Sequence, residues 1–180
     1  TNPDPVHILL AAVPALIGML AGGAVWGLLM GRLARATDRR RMAIAGASGF
    51  APMTIALGIA LSIMEPIAVQ KLGAQLPIHR LFTFFFVPTA FLIAGVGAWA
   101  IGIGLRNKTL AWTLGMRAGL AAALAFLAVN LGMEALGWRV GAPGAAARLT
   151  MLTVMFTGNS AAALAGGAII GPLLSRKPES

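Results

Sequence analysis

The chain has 180 residues, of which 58% are hydrophobic and only 11% are charged. A water-soluble domain carries about 25% charged residues, because it must coat its surface with polar groups. This composition therefore excludes an ordinary soluble protein and predicts an integral membrane protein. The net charge of +9 would also suit a nucleic-acid-binding protein. We reject that interpretation because the basic residues lie in short links between long apolar runs, as membrane insertion requires.

The residue types needed for catalysis and metal binding are scarce. There is no cysteine, which excludes disulfides, thiolate metal sites and cysteine nucleophiles. The two histidines, His7 and His79, lie at the ends of apolar runs, and no carboxylate inside a run is at helical spacing from either of them. We therefore expect neither an enzyme nor a metal site. A histidine at such a boundary can still ligate a pigment, so the sequence leaves open whether a cofactor is bound.

The first apolar run covers residues 8–31. Asp4 followed by Pro5 is typical of a helix start, with a capping side chain and a proline in the first turn. Three glycines spaced four apart end the run: Gly23, Gly27 and Gly31. This spacing keeps them on one face, where the backbone of another helix can approach closely. We expect no cleavable signal peptide, because no basic segment precedes the run.

Four further apolar runs follow the first. They cover residues 43–68, 81–105, 114–136 and 149–174. At 1.5 Å per residue, each run reaches or exceeds the hydrocarbon thickness of a bilayer, which is about 30 Å. The sequence therefore predicts an all-α fold in which residues 1–180 form a single domain, a bundle of five transmembrane helices. The last run carries a second stripe of small or polar residues at spacing four: Asn159, Ala163, Gly167 and Gly171.

The charges between the runs predict the orientation in the membrane. Ten basic residues fall on one side: Arg32, Arg35, Arg39, Arg40, Arg41, Arg106, Lys108, Arg117, Arg176 and Lys177. Four fall on the other side: Lys71, Arg80, Arg139 and Arg148. Because cytoplasmic loops carry the excess of lysine and arginine, we expect the N-terminus outside and the C-terminus in the cytoplasm. A multi-pass protein of the bacterial cytoplasmic (inner) membrane fits this pattern.

A few polar residues lie within the apolar runs, and two interpretations are open for them. Glu65 and Glu134 are near the predicted outer ends of their helices, Asn130 precedes Glu134 by four residues, and Asn159 is at mid-depth. In the functional interpretation, these four residues line a path for an ion or solute. In the structural one, the carboxylates pair with Arg80, Arg139 or Arg148, and the asparagines join neighbouring helices.

The function expected from the sequence is a non-catalytic one. No catalytic constellation is visible, and the links are too short to hold a soluble domain. We therefore expect an integral subunit that packs against other membrane subunits in a larger complex, with photosynthetic and respiratory complexes as the best context. The alternative is a small oligomeric transporter or channel that uses the outer polar residues.

Overall fold

A computed structural model of the chain describes residues 5–51, 78–137 and 145–175. Within these ranges there are five helices and no strand. The helices are α1 (Pro5–Leu33), α2 (39–51 in its described part), α3 (Ile78–Gly104), α4 (Lys108–Ala135) and α5 (Ala145–Ser175). The all-helical architecture predicted from the apolar runs is thereby confirmed.

Two helices begin earlier than the apolar runs predicted, because polar side chains cap them. Asn107 precedes α4, and its side-chain oxygen accepts a hydrogen bond from the Leu110 N–H at 2.9 Å. Asp38 does the same for α2, accepting from the Arg41 N–H at 2.9 Å. Such caps satisfy backbone donors that the first turn of a helix leaves free. Arg117, counted among the basic residues between the apolar runs, lies inside α4 and is exposed there.

Three stretches of the described helices are long and apolar enough to cross a membrane. They are Leu16–Leu33, Thr83–Gly104 and Lys108–Ala135. Large apolar side chains such as Leu120 and Leu164 are more than half exposed on the outside of the bundle. A surface of this kind suits lipid and not water. These features indicate a multi-pass membrane protein.

α1 and α2 form a tight hairpin held by the first glycine stripe. A methyl group at Gly23 would lie 2.7 Å from the carbonyl oxygen of Gly46, and one at Gly27 would overlap the carbonyl oxygen of Met42. At Gly31 the methyl group would meet the Met42 side chain at 2.8 Å. All three glycines are buried. The stripe predicted from the spacing is thus the contact surface of α1 against α2.

The links of the α1–α2 and α3–α4 hairpins close with the same kind of turn. In the first link Arg35 has a φ of 51°, and the Ala36 N–H donates to the carbonyl oxygen of Gly31 at 2.8 Å. In the second link Arg106 takes the corresponding position with a φ of 59°. This is the left-handed helix ending that glycine usually occupies. Both turns therefore place an arginine where the backbone would prefer a glycine.

Small residues also bring α3, α4 and α5 together. A methyl group at Gly102 of α3 would overlap the backbone of Ala111, and one at Gly115 of α4 would lie 3.0 Å from the Gly95 carbonyl oxygen. On the other side of α4, the fully buried Phe126 fills the space above Gly158 of α5. Close backbone approach of this kind is the main source of helix association in lipid.

The α1–α2 link, with Arg35, and the α3–α4 link, with Arg106, lie at the same end of the bundle, which we call the arginine end. The Arg41 guanidinium Nη2 donates to the carbonyl oxygen of Ile103 at 3.2 Å, which joins the start of α2 to the end of α3. Leu174, near the end of α5, packs in the same core cluster as Met42. This grouping agrees with the charge asymmetry read from the sequence. Arg176 and Lys177, also assigned to this side, lie outside the described residues.

Candidate functional site

Two adjacent stripes of α5 have opposite environments. Gly158, Ala162 and Ile170 are buried, and they face the rest of the bundle. The stripe one residue further along is the one predicted from the sequence, and it faces outward: Asn159, Ala163, Gly167 and Gly171. A methyl group at Gly167 or Gly171 would have no atom of the described residues within 4 Å. We call these four residues the outward stripe of α5.

A groove runs between α1 and the outward stripe. Its volume is about 380 Å³, and its walls include Met19, Gly22 and Trp26 from α1 and Ala163, Gly166 and Gly167 from α5. A methyl group at Gly22 would likewise meet no described atom within 4 Å. No titratable side chain is among the residues that line the groove. The described side chains that line the groove are apolar, so the groove can receive an apolar helix or chain.

The candidate polar cluster is not assembled around one path by the residues that the structure describes. Asn130 donates from Nδ2 to the Phe126 carbonyl oxygen at 2.8 Å, within its own helix. Its amide lies at the α4–α5 contact, where a methyl group at Gly158 would come within 3.4 Å of Nδ2. Asn159 is exposed on the outward stripe, away from this contact. Glu65 lies outside the described residues.

Glu134 is paired with one of the arginines that the structural interpretation named. Its Oε1 lies 3.7 Å from Nη2 of Arg80, which links the end of α4 to the beginning of α3. The Arg80 side chain is 63% exposed and that of Glu134 is 24% exposed. An ion pair that is so open to its surroundings contributes modestly to stability. The pair lies at the opposite end of the bundle from the arginine end, where it joins the start of α3 to the end of α4.

We expect Glu134→Gln to lower the free energy of unfolding by about 1 kcal/mol or less, because the ion pair with Arg80 that it removes is largely exposed. Denaturant unfolding of the purified protein in detergent measures the change. Arg80→Gln should cost a similar amount, and the double variant should cost no more than either single one. Fully additive losses would show that the two side chains do not interact.

Sequence reasoning missed Gly22 and Trp26, which line the groove on α1. Gly18 and Gly22 are also spaced four apart, so the pattern contained the signal. It could not be used because an adjacent stripe, which begins at Gly23, has the same spacing. Only the packing of α2 on Gly23 shows that Gly22 is left open on the other side.

Among the described residues, no group of three or more histidine, cysteine, aspartate or glutamate side chains could hold a metal ion. The arrangement that stands out among the described residues is the outward stripe of α5 with the groove beside it. Comparison of this chain with protein-family models, with curated proteins and with solved structures finds no match.

Proposed function

We propose that this chain is a non-catalytic integral subunit of a larger membrane complex, and that a transmembrane helix of a partner subunit lies on the outward stripe of α5. The observation that carries the proposal is the open surface at Gly167 and Gly171, where added methyl groups would meet no atom within 4 Å in the part of the chain that the structure describes. Elsewhere in the bundle, glycines such as Gly27 are covered by another helix. A partner helix on α5 would use the open glycines in the same way.

The exposed amide of Asn159 supports a protein partner over lipid. In the described part of the chain, its side chain makes no hydrogen bond, and it belongs to the same stripe as Gly167. An amide that faces hydrocarbon without a partner costs free energy, because lipid tails cannot form hydrogen bonds. A neighbouring helix can supply a donor or acceptor, a contact typically of about 1 kcal/mol in membranes.

The proposed context is a photosynthetic or respiratory complex of a bacterial cytoplasmic membrane. The chain would cross the membrane five times, with the N-terminus outside and the arginine end in the cytoplasm. The asymmetry of the basic residues supports this orientation, and so does their grouping at one end of the bundle.

Labelling of introduced cysteines tests this orientation, and the natural chain has no cysteine to interfere. Thr37, in the α1–α2 link, and Leu136, at the end of α4, are both exposed. A membrane-impermeant thiol reagent added to intact cells should label Leu136→Cys. It should label Thr37→Cys only after the membrane is permeabilised. The reverse pattern would mean that the arginine end faces outward.

Purification from native membranes tests the function itself. Fixed stoichiometric partners that stay with the chain through mild-detergent chromatography are the expected result. The second candidate is a small oligomeric transporter or channel. It is favoured by the charged pair Arg80–Glu134 and by Asn130, which lies one turn before Glu134 on α4. A homo-oligomer that carries protons into liposomes loaded with a pH-sensitive dye would overturn the subunit proposal.

A further inference from the structure

A second groove lies at the arginine end, on the side of α1 that faces out of the bundle. Its volume is about 270 Å³, and it is lined by Val25, Leu28, Leu29, Arg32 and Arg39. The two arginines stand at its polar end, one at the end of α1 and the other at the beginning of α2. The three apolar residues precede Arg32 on α1, at a greater distance from the link. The groove thus has a cationic end and an apolar wall.

The positive charge of this groove is not neutralised within the described part of the chain. Arg32 and Arg39 are exposed, and neither makes an ion pair or hydrogen bond there. The link contains one acidic residue, Asp38, and its carboxylate accepts the Arg41 N–H as the cap of α2. Arg39 also sits in the first turn of α2, where the positive end of the helix dipole disfavours a cation and favours an anion. The positive charges of Arg32 and Arg39 therefore favour the binding of an anionic group at this end of the groove.

We infer that this groove binds the headgroup of an anionic phospholipid between Arg32 and Arg39, with an acyl chain along α1. The planar guanidinium groups match the oxygens of a phosphate, with which they form charge-assisted hydrogen bonds. Val25 and Leu29 are 57% and 48% exposed, so an acyl chain can contact them. The apolar wall favours a lipid over free phosphate, which would use only the arginines. Basic pockets beside transmembrane helices are suited to anionic headgroups.

Native mass spectrometry of the purified protein in detergent tests the inference. The protein is titrated with phosphatidylglycerol or with phosphatidylethanolamine of the same acyl chains. We expect one phosphatidylglycerol to bind about tenfold more tightly than phosphatidylethanolamine, because its net charge is uncompensated. Arg39→Gln should weaken phosphatidylglycerol binding by about tenfold, which corresponds to the loss of charge-assisted hydrogen bonds.

Arg40→Gln is the matched control, because Arg40 is the next residue, is also exposed and does not line the groove. It removes the same charge and should change binding by less than about twofold, because the Arg40 side chain does not line the groove and so does not hydrogen-bond the headgroup. Equal losses in Arg39→Gln and Arg40→Gln would overturn the inference in favour of diffuse attraction. Displacement of the lipid by millimolar inorganic phosphate would overturn the lipid assignment.

Two more variants keep the test decisive. If Arg39→Gln fails to fold, Arg32→Gln removes the other arginine without touching α2, and it should weaken phosphatidylglycerol binding as much. Leu29→Asn changes the apolar wall and leaves both arginines in place. It should weaken binding of long-chain phosphatidylglycerol more than that of a short-chain form. Equal effects on the two chain lengths would show that no acyl chain lies on α1.

Discussion

Gly27→Leu is expected to destabilise the chain by about 3 kcal/mol or more, the upper range for overpacking in a tightly packed interior. Even a methyl group at this position would overlap the carbonyl oxygen of Met42, and it would lie 3.1 Å from the Cα of Gly46. Both of these atoms belong to the backbone of α2, so no side-chain rotation can make room. Thermal unfolding followed by circular dichroism, with gel filtration in detergent, measures the loss.

Gly18→Leu provides the control for this result. Gly18 belongs to the same helix and is exposed, and a methyl group there would have nothing within 4 Å. We expect its effect to stay within about 0.5 kcal/mol, as for most surface substitutions. If Gly27→Leu were as stable as Gly18→Leu, the contact between α1 and α2 would not have the geometry described above.

Gly167→Leu is expected to release the partner subunit and to leave the chain itself folded. At Gly167 an added Cβ would meet no atom of the described residues within 4 Å, and the residue borders an open groove, so we expect the fold to accommodate the leucine. A partner helix packed there would be pushed away. A loss of about 2 kcal/mol at a packed interface weakens binding by about 30-fold. The yield of partner that co-purifies with the variant measures this loss.

Gly132→Leu is the matched control, because Gly132 is also exposed with nothing within 4 Å of an added methyl group. It lies on α4 and does not line the groove between α1 and α5. This variant should keep the partner at the natural level. Retention of the partner by both variants would show that the outward stripe faces lipid, whereas loss in both would indicate a general defect in assembly.

The helices could be predicted from the sequence because continuous apolar runs leave helices as the natural spanning structure. Their starting points could not be predicted from hydropathy. Lys108 is charged, yet α4 begins there because Asn107 caps it. Hydropathy indicates where a helix becomes apolar, whereas capping side chains decide where it begins.

The stripes of small residues could be predicted from the sequence, but which stripe is covered by another helix could not. Gly27 and Gly167 belong to stripes with the same spacing, yet one is covered by α2 and the other is open. In a soluble helix the polar face would mark the outside. In a membrane helix both faces are apolar, so the sequence carries little signal for which one is buried. Asn159 was the one available hint, because its amide shares the stripe with Gly167.

Arg35 and Arg106, which both have a positive φ, are subject to two opposing requirements. Replacing Arg35 or Arg106 with glycine would relieve a left-handed conformation that costs a non-glycine residue about 1 kcal/mol. The same change would remove a positive charge from the end of the bundle that we expect to be retained in the cytoplasm. Selection for a more stable turn and selection for correct insertion therefore act in opposite directions at these two positions. A chain optimised for stability alone would carry glycine there and would insert with a weaker directional preference.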